Sequence, residues 1–269
     1  MPHLISSLLL LLLLLLEQTL SQDYCQPALC PKYKKHIACR HNSDLGKACG
    51  AGKIVLLNLT QHQPAILNMH NSPRNSLAAG KVAKLPPTER MASMQWHEEL
   101  EALALLNAKQ CVLTYDPCHN TAEFYNSGQN VALLNISADV LTNDELLLKD
   151  AIERWWDQHK AMTAEHLQRF PKPGKLADSM RNFAVMARDN NTHVGCAAIR
   201  FEKLQLQHFL FVCNYASNYV AGQPLYRPKS VNCQGGYDKQ FKELCKPGEN
   251  YRDVEPLEPT PKPVKSKKK

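Results

Sequence analysis

Ten cysteines downstream of a leucine run constrain this chain more than any other feature. Residues 8–16 are nine consecutive leucines, and the small-residue stretch Thr19-Leu20-Ser21 follows them. A run this short does not reach the length of a membrane helix and has the form of a signal-peptide core with its cleavage site. Residues 1–21 are therefore expected to be a signal peptide. The remainder is expected to be secreted and extracellular, where thiols oxidise. Cys25, Cys30, Cys39, Cys49, Cys111, Cys118, Cys196, Cys213, Cys233 and Cys245 are even in number, so five disulfides would leave none over. Which cysteine pairs with which is not decided by the count.

Without the signal, roughly 250 residues remain, enough for one domain with its own hydrophobic core. The net charge of +7 is unevenly placed, because Lys262, Lys265, Lys267, Lys268 and Lys269 crowd the C-terminus, and without them the balance falls to +2. No basic stripe remains to engage nucleic acid. Beyond the leader no apolar stretch of about 18 residues appears, so no membrane span is expected. The lysine-rich end also lacks the apolar tail that a glycolipid anchor needs.

Residues 23–53 are cysteine-dense, turn-rich and aperiodic. From Gln63, Ile66, Leu67, Met69, His70, Leu77 and Ala78 recur at helical spacing up to Gly80, with Pro73 expected to kink the helix or limit its regularity. After Pro86-Pro87, residues 89–110 carry Met91, Met94, Trp96, Leu100, Leu103, Ala104, Leu106 and Ala108 and predict a second helix. Residues 143–164 predict a third, with Asp144 and Glu145 in its first turn, where the helix dipole favours acids. Residues 183–188, 194–201 and 208–215 read as strands, the last two as an antiparallel hairpin. Helices first and strands later indicate an α+β domain. The end of the chain is proline- and lysine-rich and is expected to be disordered.

Several segments, taken in order, resemble one family. They are Lys35-His36-Ile37-Ala38-Cys39 within residues 24–50, His70-Asn71-Ser72-Pro73-Arg74 with Ala78-Ala79-Gly80, and Arg90 through Trp96 leading to Asn107-Ala108-Lys109-Gln110-Cys111. Gly128-Gln129-Asn130, His193-Val194-Gly195-Cys196-Ala197 and Cys213-Asn214-Tyr215 complete the series. Over residues 24–226 the chain resembles the CAP superfamily of secreted cysteine-rich proteins, in its insect antigen 5 (venom allergen 5) branch. The resemblance implies an α-β-α sandwich with a central antiparallel sheet and a disulfide-stapled N-terminal extension. It also implies the pairs Cys25–Cys39, Cys30–Cys118, Cys49–Cys111 and Cys196–Cys213. Cys233–Cys245 is left by elimination. The expected organisation is a signal peptide at 1–21, a cysteine-rich extension at 22–60 and a CAP domain at 61–226. A small disulfide segment at 227–250 and a tail at 251–269 follow.

Many members of that family hold a divalent metal in a cleft with two histidines and two acids. The resemblance maps those four positions to Tyr115, Gln129, Gln158 and Asn182. None is a good zinc ligand, and none is a general base near neutral pH. No metal, cofactor or enzymatic activity is therefore expected, and the cleft reads as degenerate. A displaced site could only borrow His119 and His159, both of which read as surface residues.

His97-Glu98-Glu99-Leu100-Glu101 opens like a zinc-protease helix but lacks the second histidine. His70 reads as a hydrogen-bonded structural residue, and Trp155, Trp156, Met91 and Met94 as packing. Asn58, Asn135 and Asn190 begin glycan-acceptor triplets, with Asn190 in a polar stretch that favours exposure. The reading from sequence is a secreted, non-enzymatic binding protein, and the resemblance implies a venom, saliva or reproductive fluid as its setting. Its partner is an unknown extracellular protein or a small apolar ligand such as a lipid. A metal-assisted hydrolase with a displaced site is the weaker alternative.

Overall fold

A computed structural model describes residues 22–137, 143–204, 206–227 and 232–251. The leucine run and the lysine tail lie outside the described residues. The core is a five-stranded sheet of order β1-β4-β5-β3, with β2 also pairing with β4. The strands are β1 (Ile54–Leu56), β2 (Gln95–Trp96), β3 (Gly128–Ser137), β4 (His193–Lys203) and β5 (Leu206–Tyr215). β4 and β5 form the antiparallel hairpin read from sequence, with Cys196 opposite Cys213. β3 pairs antiparallel with the other edge of β5, Gly128 opposite Tyr215.

Alternation along the strands makes two apolar faces. Val194, Cys196, Ala198, Phe209 and Phe211 join a cluster with Ile66, Leu148, Ile152 and Trp155. These last four belong to α1 (Gln63–Ala78) and α3 (Asp144–Asp157). Ala197, Ile199, Leu210 and Val212 face the other way, onto Ala104 and Ala108 of α2 (Glu98–Ala108). Helix, sheet and helix therefore stack as three layers. Three short helices, α4 (Ala164–Gln168), α5 (Lys175–Asp178) and α6 (Arg181–Ala187), close one end. There Phe170, Met180, Phe183 and Tyr226 build a second apolar cluster with Leu77 and Met91.

The helix ends follow ordinary capping chemistry. Asn143 accepts a hydrogen bond from the Glu145 N–H, and Asp144 and Glu145 occupy the positive end of α3. At α2, His97 is the cap residue and accepts from the Leu100 N–H, ahead of Glu98, Glu99 and Glu101. α1 runs through Pro73 as one 16-residue helix, although proline has no N–H to bond the preceding turn.

Two expectations are corrected. Residues 183–188 are not a strand: α6 covers 181–187, and Asn182 through Ala187 are all buried. The second helix begins at Glu98, so Met91 and Met94 lie in the extended approach to it, both buried. Asn71 clamps this approach, accepting from the Met94 N–H at 2.8 Å and donating to the Met94 carbonyl at 3.0 Å. β1, which lies within residues 22–60, joins the sheet antiparallel to β4.

Five disulfides join Cys25–Cys39, Cys30–Cys118, Cys49–Cys111, Cys196–Cys213 and Cys233–Cys245. The second and third tie the N-terminal residues to the loop after α2. The Gly46 N–H to the Lys109 carbonyl (2.7 Å) and the Tyr24 hydroxyl to Glu99 (2.8 Å) add to that seam. At the other end the Cys245 N–H bonds the Met91 carbonyl and the Ser93 N–H bonds the Cys245 carbonyl. Arg90 and Glu249 form a buried ion pair at 2.9 Å beside this contact. Of the acceptor asparagines, Asn58 and Asn135 are exposed. Asn190 is half-buried, its side-chain Oδ1 accepting from Arg188 and Ser217.

Candidate functional site

The four positions singled out by resemblance come together through hydrogen bonds. Tyr115 lies in the loop after α2, Gln129 near the start of β3, Gln158 just past α3 and Asn182 in the first turn of α6. The Tyr115 hydroxyl donates to Asn182 Oδ1 at 2.9 Å. Gln158 Oε1 accepts from the backbone N–H of Asn182 at 2.8 Å and of Phe183 at 3.4 Å. Those N–H groups open α6, whose own cap residue Met180 supplies no side-chain bond.

Gln129 belongs to the same surroundings through Asp116, the neighbour of Tyr115. Gln129 Oε1 accepts from the Asp116 N–H at 2.8 Å, and its Nε2 donates to Asp116 Oδ2 at 2.7 Å. Asn107 Nδ2 at 2.7 Å and Gln110 Nε2 at 3.3 Å complete the ring of amides around this carboxylate. Asn214 accepts the second proton of Gln129 at 2.9 Å.

Arg181 places its guanidinium 3.4 Å from the centre of the Tyr115 ring. Burial pushes the Tyr115 hydroxyl above its ordinary pKa, and the Arg181 charge offsets only part of this, so the phenol stays protonated at neutral pH. Aromatic rings flank the group: Trp156 meets Phe183 edge-on at 5.0 Å, and His159 lies 6.0 Å from Phe183.

His119 is buried, not solvent-facing. Its Nε2–H donates to the Gly128 carbonyl at 3.1 Å, and its Nδ1 lies 3.9 Å from Asp116 Oδ2. Burial holds its pKa below the ordinary value, with Asp116 opposing that shift. His159 is half-buried, with Nδ1 bonded to the Trp156 carbonyl at 2.9 Å. His70 is fully buried between the Ile66 carbonyl (2.8 Å) and the Tyr215 hydroxyl (2.9 Å). Among the described residues no group of three or more His, Cys, Asp or Glu side chains could hold a metal.

The donor set explains that chemically. Zinc seeks imidazole, thiolate or carboxylate. At the mapped positions it would meet a protonated phenol and three amides whose oxygens already accept hydrogen bonds. The residues present do not fit a metal. Sequence reasoning missed Asp116 and Arg181, although each adjoins a position it had named.

A family model described as the cysteine-rich secretory protein family, CAP, matches residues 67–215. The chain belongs to the CAP family. Venom allergen-1 of Aedes albopictus is 28% identical over 86% of this CAP chain and 90% of its own length. Venom allergen 5 of Vespula maculifrons is 31% identical over 77% of this chain and all of its own. These similarities lie in the antigen 5-like branch. Among solved structures, NaASP2 with Zn2+ shares the fold at a TM-score of 0.54 and 22% identity, over 69% of this chain and 95% of that one.

Proposed function

We propose that this CAP protein is a secreted binding protein that does no chemistry in its cleft and takes no metal there. The observation that carries the reading is the hydrogen bonding of the mapped positions. Asn182 Oδ1, Gln158 Oε1 and Gln129 Oε1 each accept a bond from within the protein. Neutral amides cannot offset a dication, nor can they accept a proton near neutral pH as a general base must. Paired disulfides leave no thiol for covalent catalysis, since no cysteine among the described residues is free.

Calorimetry of zinc into the mature protein tests this reading. No saturable heat is expected. Micromolar zinc binding lost on His119→Ala or His159→Ala would instead establish a displaced metal site and overturn it.

The partner is an extracellular protein or a small apolar molecule, and one feature favours a small molecule. A cleft of about 380 Å³ lies between α1 and α3, lined by Met69, Pro73, Ile152 and Trp156 with Lys149 and Glu153. This is the size range of small-molecule sites. Solvent extraction of the secreted protein followed by mass spectrometry is expected to recover a bound amphiphile, whereas an empty extract would leave a protein partner as the reading.

A further inference from the structure

We propose that the cleft around Tyr115 is an anion subsite that receives a carboxylate, with Arg181 as its charge. This rests on the reading of the cleft as metal-free and names what occupies it instead.

The polarity of the unused groups carries the argument. A backbone N–H can only donate, so the bonds from Asn182 and Phe183 fix Gln158 with Oε1 turned toward α6. That leaves its Nε2 group without a partner among the described residues. Tyr115 takes Asn182 Oδ1, which leaves Asn182 Nδ2 likewise unused. The third unused donor is Arg181. Its Nε is buried without a partner, and no described residue pairs with its guanidinium except the Tyr115 ring. The acceptors of these amides are consumed inside the protein while the donors are spare. That is the reverse of a cation site.

Leaving a buried donor unsatisfied costs free energy, which an acceptor ligand recovers. Contact with the face of Tyr115, 3.4 Å from its ring centre, restrains the guanidinium and so limits the orientations of its planar fork of N–H groups. A fork of this kind matches the two oxygens of a carboxylate. The charge balance also selects a monoanion, since the unused donors are one guanidinium and two neutral amides, and the Asp116 carboxylate beside Tyr115 is an anion already held by Gln129, Asn107 and Gln110. A phosphate's second charge would have no partner, and Asp178, an exposed acid whose field reaches Tyr115 and Tyr219, would oppose it.

The test is a titration of the full mature, disulfide-bonded protein, followed by NMR of its amides at constant ionic strength. Sodium acetate, sodium octanoate and inorganic phosphate are the probes. Acetate is expected to shift the side-chain amides of Asn182 and Gln158 saturably, and phosphate to bind more weakly. Arg181→Gln should weaken acetate at least ten-fold. Arg181→Lys, which keeps the charge without the fork, should fall between and serves if the first variant does not fold. Octanoate binding more tightly than acetate assigns a carboxylate with an apolar tail; equal affinities assign the free carboxylate. No saturable shift, affinity unchanged in both variants, or phosphate binding more tightly than acetate would overturn the proposal. A zinc titration of the same sample separates the two readings. Zinc binding defeats the metal-free cleft, while silence toward both zinc and acetate defeats only the anion subsite.

Discussion

Gln158 has a structural role that its chemistry makes testable. Its Oε1 caps α6 from outside, accepting from residues 182 and 183 across more than twenty positions of sequence. A cap of this kind contributes about 0.5–2 kcal/mol. Gln158→Ala is expected to lower the stability read by urea unfolding by about 1 kcal/mol. Gln158→Glu keeps an acceptor oxygen and should stay close to the unaltered protein. Equal stability of all three would show that α6 starts without this bond. The four mapped positions were legible because motifs of fixed order locate them. Their partners were not, because a cap supplied from another helix leaves no local pattern. His119 shows the same limit. Its place beside Cys118 suggests a loop surface, yet the Gly128 carbonyl, nine residues on, draws the ring inside.

Helices were legible where one face is apolar and obscure where every face is. α1 declared itself by period, since it has an identifiable wet side, whereas β4 and β5 are buried on both faces over most of their length and were paired from the short separation between them. Residues 182–187 are buried throughout, so their side chains carry no alternation to distinguish helix from strand. β3 passed unassigned for a related reason, with Val131 packed toward α2 and Ala132 and Leu134 toward α3. The extended stretch before α2 had strong helical composition, but Asn71 and Arg74 claim its backbone. Arg74 Nη2 donates to the Ala92 carbonyl at 2.7 Å. Tertiary bonds there override propensity.

The packing of α2 on β4 depends on Gly195 in a way its motif does not reveal. A Cβ at that position would lie 2.2 Å from the Glu101 nitrogen and 2.4 Å from the His97 carbonyl oxygen. Both are backbone atoms at the start of α2, so relief requires moving the helix. Gly195→Ala is expected to cost about 1–3 kcal/mol or more, seen as a lowered urea midpoint with the N-terminal turn of α2 losing amide protection. An unchanged midpoint would mean that α2 is free to slide on the sheet.

For the molecule as a whole, buried neutral histidines set the response to acid. His70 is held down to a pKa of about 4, by burial first and then by the Arg74 charge, against the opposing Ile66 carbonyl. His36, His119 and His193 are lowered as well, each chiefly by burial. The hydrogen bonds of His70 require the neutral ring: Nδ1–H donates to the Ile66 carbonyl, and Nε2 accepts from the Tyr215 hydroxyl, which in turn accepts from Asn130 at 3.3 Å.

In the unfolded chain histidines protonate near pH 6.5. Between that pH and the lower folded pKa, the unfolded state therefore binds more protons, and stability falls as pH falls. For His70 the window runs from about 6.5 down to about 4. Each histidine that stays neutral while its unfolded counterpart is charged removes about 1.4 kcal/mol per pH unit. A further loss follows at lower pH. Burial alone would raise the Glu249 pKa, but bonds from Gly235, Gln234 and Arg90 hold it below the ordinary carboxyl value. Its contribution is lost as pH falls through that folded pKa, when the buried Arg90 loses its counter-charge. Urea midpoints measured from pH 7.5 to pH 5 are expected to be flat above about 7 and to fall steeply below about 6.5. His70→Gln should reduce that slope by about one proton, whereas a flat profile down to pH 5 would show that these rings titrate as freely folded as unfolded.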